Sequence, residues 1–327
     1  MDVERHEERP NALDSGRVDL PPNAGSQPAA GGRSHPTGAL PFGDWDGHCH
    51  TGLGGHGSGE AAELFAERAL RLGFGRVTFT EHPLFPVDAI PVAVYREVYL
   101  DSAGLEMYVA AVERVRHLYA HRLEVRLGFE VDYVPGRGRF PLTYLESYAD
   151  HVRDSVLSLH LLPAAAGRLY ALDMDPDGLG RELVAHYGSI DAVRQVYWQT
   201  LEEALDEVAS WDLGIAWRVG HLDVVGKFRD AFPLADPDRD RKRALRVLDR
   251  VRDLGWALDV NAKGLDVALR REAYPARDLL RAAIERGIPL VYGSDAHAVA
   301  DVGRHRRSLR NLVRALAREQ DGGPTSR

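Results

Sequence analysis

The 327-residue sequence has a single cysteine, no excess of positive charge and no long hydrophobic segment. The lone Cys49 excludes an internal disulfide framework and is compatible with a reducing compartment. A formal net charge of -8 disfavours a general nucleic-acid-binding protein, which usually presents a basic face. No apolar run approaches the length of a membrane span, and the first ten residues lack the apolar core of a signal peptide. These absences favour a soluble, cytoplasmic protein with neither a nucleic acid nor a membrane as partner.

The composition divides the chain into three parts. Residues 1–42 are rich in proline, glycine and small polar residues and lack apolar periodicity, so they are predicted to form a disordered N-terminal tail. A start codon assigned too far upstream would explain them equally well. Residues 319–327 are predicted to be a frayed C-terminal tail. The segment between, 43–318, is long enough for one barrel-sized domain.

Within 43–318, short β-rich segments alternate with longer amphipathic segments, which is typical of strand-helix repeats and a parallel sheet. Seven strands are predicted, near residues 45–48, 76–80, 124–131, 155–159, 215–221, 256–260 and 289–292. Six helices are predicted, near residues 60–72, 105–120, 189–209, 239–254, 276–286 and 305–318. Gly255 and Gly287 follow two of these helices, at positions where a residue that tolerates positive φ ends a helix. The fold class is therefore α/β.

Histidines and carboxylates follow the predicted strands. Six of them stand at or just beyond the carboxyl ends of six strands: His48, His82, Glu130, His160, His221 and Asp295. Three more stand in the loops that follow: His50, His56 and His297. In a closed parallel barrel all these strand ends form one rim, so the residues are expected to converge on one metal site. A single histidine in such a set is more often a surface or core residue, but coincidence does not explain the whole ordered set.

Cys49 stands between two of these histidines. Strand alternation directs its side chain to the opposite face, so it is predicted to pack against the scaffold. Thiolate ligation of a metal is the alternative interpretation.

The ordered motifs resemble those of the polymerase and histidinol phosphatase (PHP) superfamily, and within it those of the monofunctional histidinol-phosphate phosphatases. The motifs are Asp-Gly-His-Cys-His-Thr, Thr-Phe-Thr-Glu-His, Gly-Phe-Glu-Val-Asp-Tyr, Ser-Leu-His, Gly-His-Leu-Asp and Tyr-Gly-Ser-Asp-Ala-His, spread over residues 46–303. The resemblance implies a distorted seven-stranded (β/α) barrel with a metal site at the C-terminal rim of the strands. This expectation agrees with the independent count of seven strands.

The resemblance also implies three divalent metal ions. His48, His50, Glu130 and Asp295 would hold the first; Glu130 would bridge to a second held by His160 and His221; His56, His82 and His297 would hold the third. Glu130, Asp295, His160 and His221 would form the catalytic group. Donors so rich in nitrogen suit zinc, iron or manganese better than magnesium, and the sequence does not rank these three metals.

The implied reaction is hydrolysis of a small phosphate monoester, with L-histidinol phosphate giving L-histidinol and phosphate in histidine biosynthesis. Hydroxide bridging two metals would attack phosphorus, because metal binding lowers the pKa of water towards about 7. Another PHP phosphoesterase, acting on nucleotides or DNA ends, is the nearest alternative. A non-catalytic metal-binding module is an alternative of a different class. The oligomeric state is left open.

Three cationic residues are candidates for phosphate contact because they lie in or beside motifs similar to those of the family: Lys227, Arg194 and Arg218. Ion pairing without any substrate contact is the alternative for each. Relatives often place an arginine directly before the lysine, whereas this chain has Gly226. Arg137 or Arg139 is a possible substitute.

Histidinol phosphate also carries an ammonium group and an imidazole. Glu81, Asp132 and Asp223 are candidate acceptors for these groups. Support of metal-bound histidines is the alternative role for the same carboxylates.

Overall fold

The computed structural model describes residues 43–321, so the predicted tail 1–42 and residues 322–327 lie outside the described residues. Its nine strands are β1 (Trp45–Cys49), β2 (Arg76–Glu81), β3 (Glu124–Asp132), β4 (Asp154–Ser158), β5 (Leu161–Pro163), β6 (Leu169–Ala171), β7 (Ala216–Val219), β8 (Ala257–Asn261) and β9 (Leu290–Gly293). Seven of them form one parallel sheet in the order β1-β2-β3-β4-β7-β8-β9. These are the seven predicted strands.

The first and last strands of this sheet lie side by side. The backbone N–H of Asp295 donates to the carbonyl of His48 at 2.8 Å, and that of His50 donates to the carbonyl of Ala296 at 2.9 Å. These hydrogen bonds nearly close the sheet into a barrel. The α/β barrel predicted from the sequence is therefore confirmed.

Helices connect the strands: α1 (Ala62–Arg71), α2 (Val92–Val98), α3 (Ser102–Tyr119), α4 (Leu142–Tyr148), α5 (Pro176–Gly178), α6 (Ala185–Tyr187), α7 (Ile190–Ala209), α8 (Pro237–Asp253), α9 (Arg277–Glu285) and α10 (Arg306–Asp321). A π-helical segment, Leu179–Val184, joins α5 to α6. The six predicted helices are confirmed as α1, α3, α7, α8, α9 and α10. The shorter α2, α4, α5 and α6 were not predicted, because segments of three to seven residues carry little periodicity.

The ends of the helices follow from local chemistry. Gly255 and Gly287, which follow α8 and α9, both adopt a φ of +68°, as their positions predict. The last helix continues to Asp321, three residues beyond the helix end predicted at residue 318. Glu319 holds this extra turn through an ion pair of 2.7 Å with Arg281 on α9.

A small cap stands beside the carboxyl ends of the barrel strands. Strands β5 and β6 form an antiparallel hairpin directly after β4. An apolar cluster joins this hairpin to the segment around α2, and it consists of Phe85, Ile90, Tyr99, Val134, Leu161 and Leu169. The sequence did not predict this cap. Within residues 43–321, no helix is both long and apolar enough to cross a membrane.

Candidate metal centre

Glu130 lies at the centre of the predicted ligands, near the carboxyl end of β3. Its Oε2 lies 3.0 Å from His48 Nε2, 3.0 Å from His50 Nε2 and 3.2 Å from His82 Nε2. Its Oε1 lies 2.8 Å from His221 Nε2. One buried carboxylate thus joins residues that β1, β2, β3 and the loop after β7 bring to the same rim.

The potential donor atoms form four overlapping groups, each with its atoms within 4.8 Å of one another: His50, His56 and His82; His48, His50 and Glu130; His50, Asp295 and His297; His82, Glu130 and His160. His50 belongs to three of these groups. His221 adjoins them, since its Nε2 lies 3.0 Å from His160 Nε2. All nine predicted ligands are therefore brought together, and their overlap is the arrangement that a multinuclear centre requires.

A further set of buried carboxylates orients the imidazoles. His48 Nδ1 donates to Asp259 Oδ2 at 2.8 Å, and His160 Nδ1 donates to Asp132 Oδ1 at 2.7 Å. Each contact turns the Nε2 of the same ring towards the centre. Carboxylate-histidine pairs of this kind fix ring orientation and tautomer in metal sites.

The donor chemistry fits metal ions. Burial lowers the pKa of His48, but Glu130 at Nε2 and Asp259 at Nδ1 raise it well above its usual value, so positive charge is favoured between these two carboxylates. His50 Nε2 is buried without a hydrogen-bond partner, although three neighbouring groups approach it. Both observations fit sites for bound cations.

The electrostatics of the rim also favour positive charge. Burial would raise the pKa of Glu130, but His82 and His48 hold that pKa well below its usual value. Burial lowers the pKa of His160, but Asp132 raises it to about 10, so a cation is favoured at this imidazole. Burial, His82 and His50 lower the pKa of His56 to about 4, which leaves its imidazole in the neutral form that binds metals.

Two of the candidate ligands have unusual backbone conformations. Asp295 adopts a φ of +51° and His221 a φ of +22°, and both are outside the region that side chains with a Cβ normally occupy. Strain of this kind persists where surrounding structure holds it, and it is concentrated at functional sites.

A cavity of about 260 Å³ opens beside the imidazoles. Lys227, Lys263 and Asp173 line it together with seven of the nine candidate ligands, all except His48 and His50. The ammonium group of Lys227 donates to the carbonyl of Asp173 at 2.6 Å and to its carboxylate at 3.2 Å. Lys263 Nζ lies 3.3 Å from Asp295 Oδ1. A small anionic molecule would meet both ammonium groups in this cavity.

The three predicted phosphate-binding residues have different positions. Lys227 lines the cavity, and its contact with phosphate stays a prediction. Arg194 instead pairs with Asp240 at 2.6 Å, and Arg218 is buried and pairs with Asp154 at 2.5 Å. Neither arginine lines the cavity, because each guanidinium is held by a carboxylate outside it.

The residues proposed to compensate for Gly226 do not line the cavity either. Arg137 donates two hydrogen bonds to Asp88 on the surface, and Arg139 is exposed. A Cβ at Gly226 would lie only 2.8 Å from Arg194 Nη1 and 3.1 Å from Arg270 Nη1. Two guanidinium groups already occupy the space that a side chain at this position would need.

The three acidic residues considered as substrate acceptors have supporting roles. Asp132 holds His160, and Glu81 lies 3.4 Å from His50 Nδ1 while it accepts a 2.7 Å hydrogen bond from the Thr51 backbone. Asp223 instead forms a buried ion pair of 2.9 Å with Arg270. Glu81, Asp132 and Asp223 do not line the cavity.

Sequence reasoning missed Asp259, Asp173 and a role for Lys263. Asp259 had a detectable signal, because Asp259 and Asn261 interrupt an otherwise apolar strand at alternate positions that face the same side. Lys263 stands two residues after the end of this strand. Asp173 had no comparable signal, since it follows the hairpin that was not predicted.

Cys49 is buried, and its thiol donates to the carbonyl of His50 at 3.4 Å. Burial raises the pKa of this thiol well above its usual value, which disfavours the thiolate form that binds metals. The predicted packing role agrees with this environment.

Comparison with known proteins gives consistent matches. The model of the PHP domain family matches residues 46–263. The histidinol-phosphatase of Bacillus subtilis (strain 168) is 34% identical over 258 residues, which cover 79% of this chain and 95% of that protein. The structure of HisK from Listeria monocytogenes aligns with a TM-score of 0.74 at 28% identity and covers 81% of this chain and 99% of its own.

The histidinol phosphate phosphatase of Lactococcus lactis, solved in complex with zinc, L-histidinol and phosphate, aligns with a TM-score of 0.62. It is 16% identical and covers 84% of this chain and 92% of its own, so this likeness shows a shared fold. The family match spans most of the barrel, and the Bacillus subtilis relative matches nearly its full length. The chain belongs to the PHP-domain family, in the group of the histidinol phosphatases.

Proposed function

We propose that the protein is a metal-dependent phosphomonoesterase that hydrolyses L-histidinol phosphate to L-histidinol and phosphate in histidine biosynthesis. The convergence of histidine nitrogens on Glu130, beside a small cavity with two lysines, carries this proposal. The Bacillus subtilis relative, whose name states this activity, supports it at 34% identity.

We infer that the centre holds three divalent transition-metal ions. His48, His50, Glu130 and Asp295 would hold one; Glu130, His160 and His221 a second; His56, His82 and His297 a third. Zinc, manganese and iron all suit such donors. The bound ions would supply a water of lowered pKa as nucleophile and would offset the charge that develops on the phosphoryl oxygens.

The chain's own carboxylates keep the imidazoles in position. Asp259 fixes His48 and Asp132 fixes His160, each through Nδ1. Tyr99 donates to the other oxygen of Asp132 at 2.8 Å, so this carboxylate is itself held on two sides. Geometry that is fixed before the substrate arrives lowers the reorganisation needed during the reaction.

The cavity offers groups of both charges for a substrate that carries a phosphate and an ammonium group. Lys227 and Lys263 would attract the phosphate. Asp173, which lies 3.2 Å from Lys227 Nζ, would accept a hydrogen bond from the ammonium group. Burial would raise the pKa of Asp173, but Lys227 lowers it to about 2, so the carboxylate is charged at neutral pH.

The two alternatives are less well supported. Among the described residues that line the cavity, the basic side chains other than histidine are two lysines, and they do not form a basic channel for a nucleic-acid backbone. A non-catalytic module needs no accessible cavity, whereas this centre opens onto one. Both observations favour a small phosphate monoester as the substrate.

The test is phosphate release from L-histidinol phosphate after reconstitution separately with zinc, manganese and iron(II). A panel of nucleoside monophosphates provides the comparison, and elemental analysis gives the metal content. We expect a higher kcat/KM for L-histidinol phosphate than for any nucleotide. Absence of turnover of L-histidinol phosphate with every metal, in protein that has bound metal, would overturn the proposal.

A further inference from the structure

A cluster of four arginines lies on α10, outside the metal centre. It consists of Arg306, Arg307, Arg310 and Arg314, which line one surface cavity of about 540 Å³ together with Leu72, Gly303 and Asn311. The spacing along α10 places these side chains on neighbouring turns of one helix face. The cavity shares no described lining residue with the metal centre.

The arginine cluster lies at the opposite end of the barrel from the metal centre. Arg310 Nη2 donates to the carbonyl of Gly43 at 2.9 Å, and Arg306 Nη1 donates to that of Leu72 at 3.1 Å. Gly43 and Leu72 precede β1 and β2, whereas the metal ligands are near the carboxyl ends of the strands. A ligand bound here would therefore not contact the catalytic cavity.

The charge of the cluster is not neutralised by the described part of the chain. None of its four arginines forms an ion pair with a carboxylate of residues 43–321, whereas Arg304, only two positions earlier, pairs with both Asp266 and Asp301. Burial and the neighbouring Arg310 lower the pKa of Arg306, and the more distant Asp46 and Asp44 offset only part of that effect. Like charges at such spacing repel one another unless an anion lies between them.

Part of the cluster is already ordered. The guanidinium of Arg306 lies over the ring of Phe74, 3.7 Å from its centroid, and it is also held by the carbonyl of Leu72. Arg310 is held by Gly43. Both groups keep further N–H donors, and Arg307 and Arg314 add more from the adjoining turns. Planar guanidinium groups are the side chains that best match phosphate oxygens, because they donate two parallel hydrogen bonds.

We propose that the arginine cluster is a second anion-binding site, which takes a small molecule with at least two phosphate groups. A single phosphate would engage only some of the guanidinium groups, whereas a cavity of about 540 Å³ has room for a sugar bisphosphate. The site lies in a chain of net charge -8, so local charge rather than overall charge attracts the ligand.

The test uses the metal-loaded, full-length protein and fructose 1,6-bisphosphate as the probe, with binding measured by calorimetry. Arg307→Gln/Arg314→Gln removes two charges whose side chains make no described hydrogen bond to the scaffold. Arg318→Gln is the matched control, because Arg318 lies on the same helix but outside the cavity. All three proteins keep the same metal centre, so any probe that binds there contributes equally to each measurement. A difference in binding between the proteins therefore reports on the arginine cluster.

We expect the double variant to lose the cluster's binding event or to bind at least about tenfold more weakly, while Arg318→Gln matches the wild type. Addition of salt should weaken the wild-type binding. Without ligand, the double variant should unfold at the same temperature as the wild type or above it, because repulsion is relieved. Equal binding by all three proteins, or no binding to the wild type at millimolar probe, would overturn the proposal. Turnover of L-histidinol phosphate is not part of this readout, so failure of the proposed function would be distinguishable.

Discussion

Replacement of Asp259 by asparagine tests whether a carboxylate outside the ligand set controls the metal centre. Asp259 is buried, holds His48 Nδ1 at 2.8 Å and also accepts a 3.3 Å hydrogen bond from the backbone of His221. Loss of such a supporting carboxylate typically lowers metal affinity or activity by about 10- to 100-fold. Because Asp259 contacts two candidate ligands, we expect the upper part of this range, equivalent to about 2–3 kcal/mol of binding or transition-state free energy.

Two measurements check this prediction. Competition with a chromophoric chelator gives metal affinity, and kcat/KM for L-histidinol phosphate at saturating metal separates loss of metal from loss of activity in the loaded enzyme. Asp266→Asn is a matched control: Asp266 also pairs with a histidine, His305, at 2.6 Å, but it lies on the surface. If Asp259→Asn retained wild-type metal affinity and wild-type kcat/KM, the orienting role would be refuted.

Four further substitutions test other parts of the structure. Glu130→Gln removes the charge on which four imidazoles converge, so kcat should fall by at least about a hundredfold while the fold persists; steady-state kinetics and circular dichroism check this. Asp173→Asn should raise KM about tenfold for L-histidinol phosphate and less for p-nitrophenyl phosphate, which has no ammonium group. Gly226→Arg should lower the thermal midpoint and leave KM without improvement, because two guanidinium groups surround this position. Arg218→Met should lower the free energy of unfolding, measured in urea, by about 3 kcal/mol and change KM little, because it breaks a buried ion pair. Arg126 still contacts the carboxylate of Asp154 in this variant, which limits the loss.

Each of these predictions has an outcome that contradicts it. Unchanged kcat for Glu130→Gln with full metal content would exclude a bridging role. An equal rise in KM for both substrates would show that Asp173 does not recognise the ammonium group. A lower KM in Gly226→Arg would mean that the position faces the phosphate after all. If Arg218→Met had wild-type stability and a raised KM, Arg218 would bind the substrate rather than stabilise the fold.

The strand positions and the candidate metal ligands could be predicted from the sequence because each carries a local signal. A parallel strand buried on both faces reads as an apolar run, and a ligand such as Glu130 or His221 stands near its end. Closure of the barrel then brings these strand ends together, regardless of the length or conformation of the connecting loops. The family resemblance added the grouping of ligands, which no spacing along the chain specifies.

The contacts of the cationic residues were harder to predict, because proximity to a motif in the sequence does not determine which carboxylate a guanidinium pairs with. Arg218 stands three residues before the motif histidine His221, yet its side chain is directed to Asp154, as strand alternation and a nearby buried carboxylate permit. Asp173 reaches the cavity only because the β5-β6 hairpin folds back over the rim. Such long-range placement depends on tertiary packing rather than on local pattern.

The seam between β1 and β9 also determines when the centre can form. Across it, the backbone N–H of Ser294 donates to Asp46 at 2.9 Å, a contact between residues 248 positions apart. The same seam brings Asp295 to His50. Contacts so distant in sequence are slow to form, because the intervening strands must be ordered before β1 and β9 can meet. During synthesis every residue up to Asp295 must be present before these candidate ligands can meet, so metal loading at this seam would report that the barrel has closed.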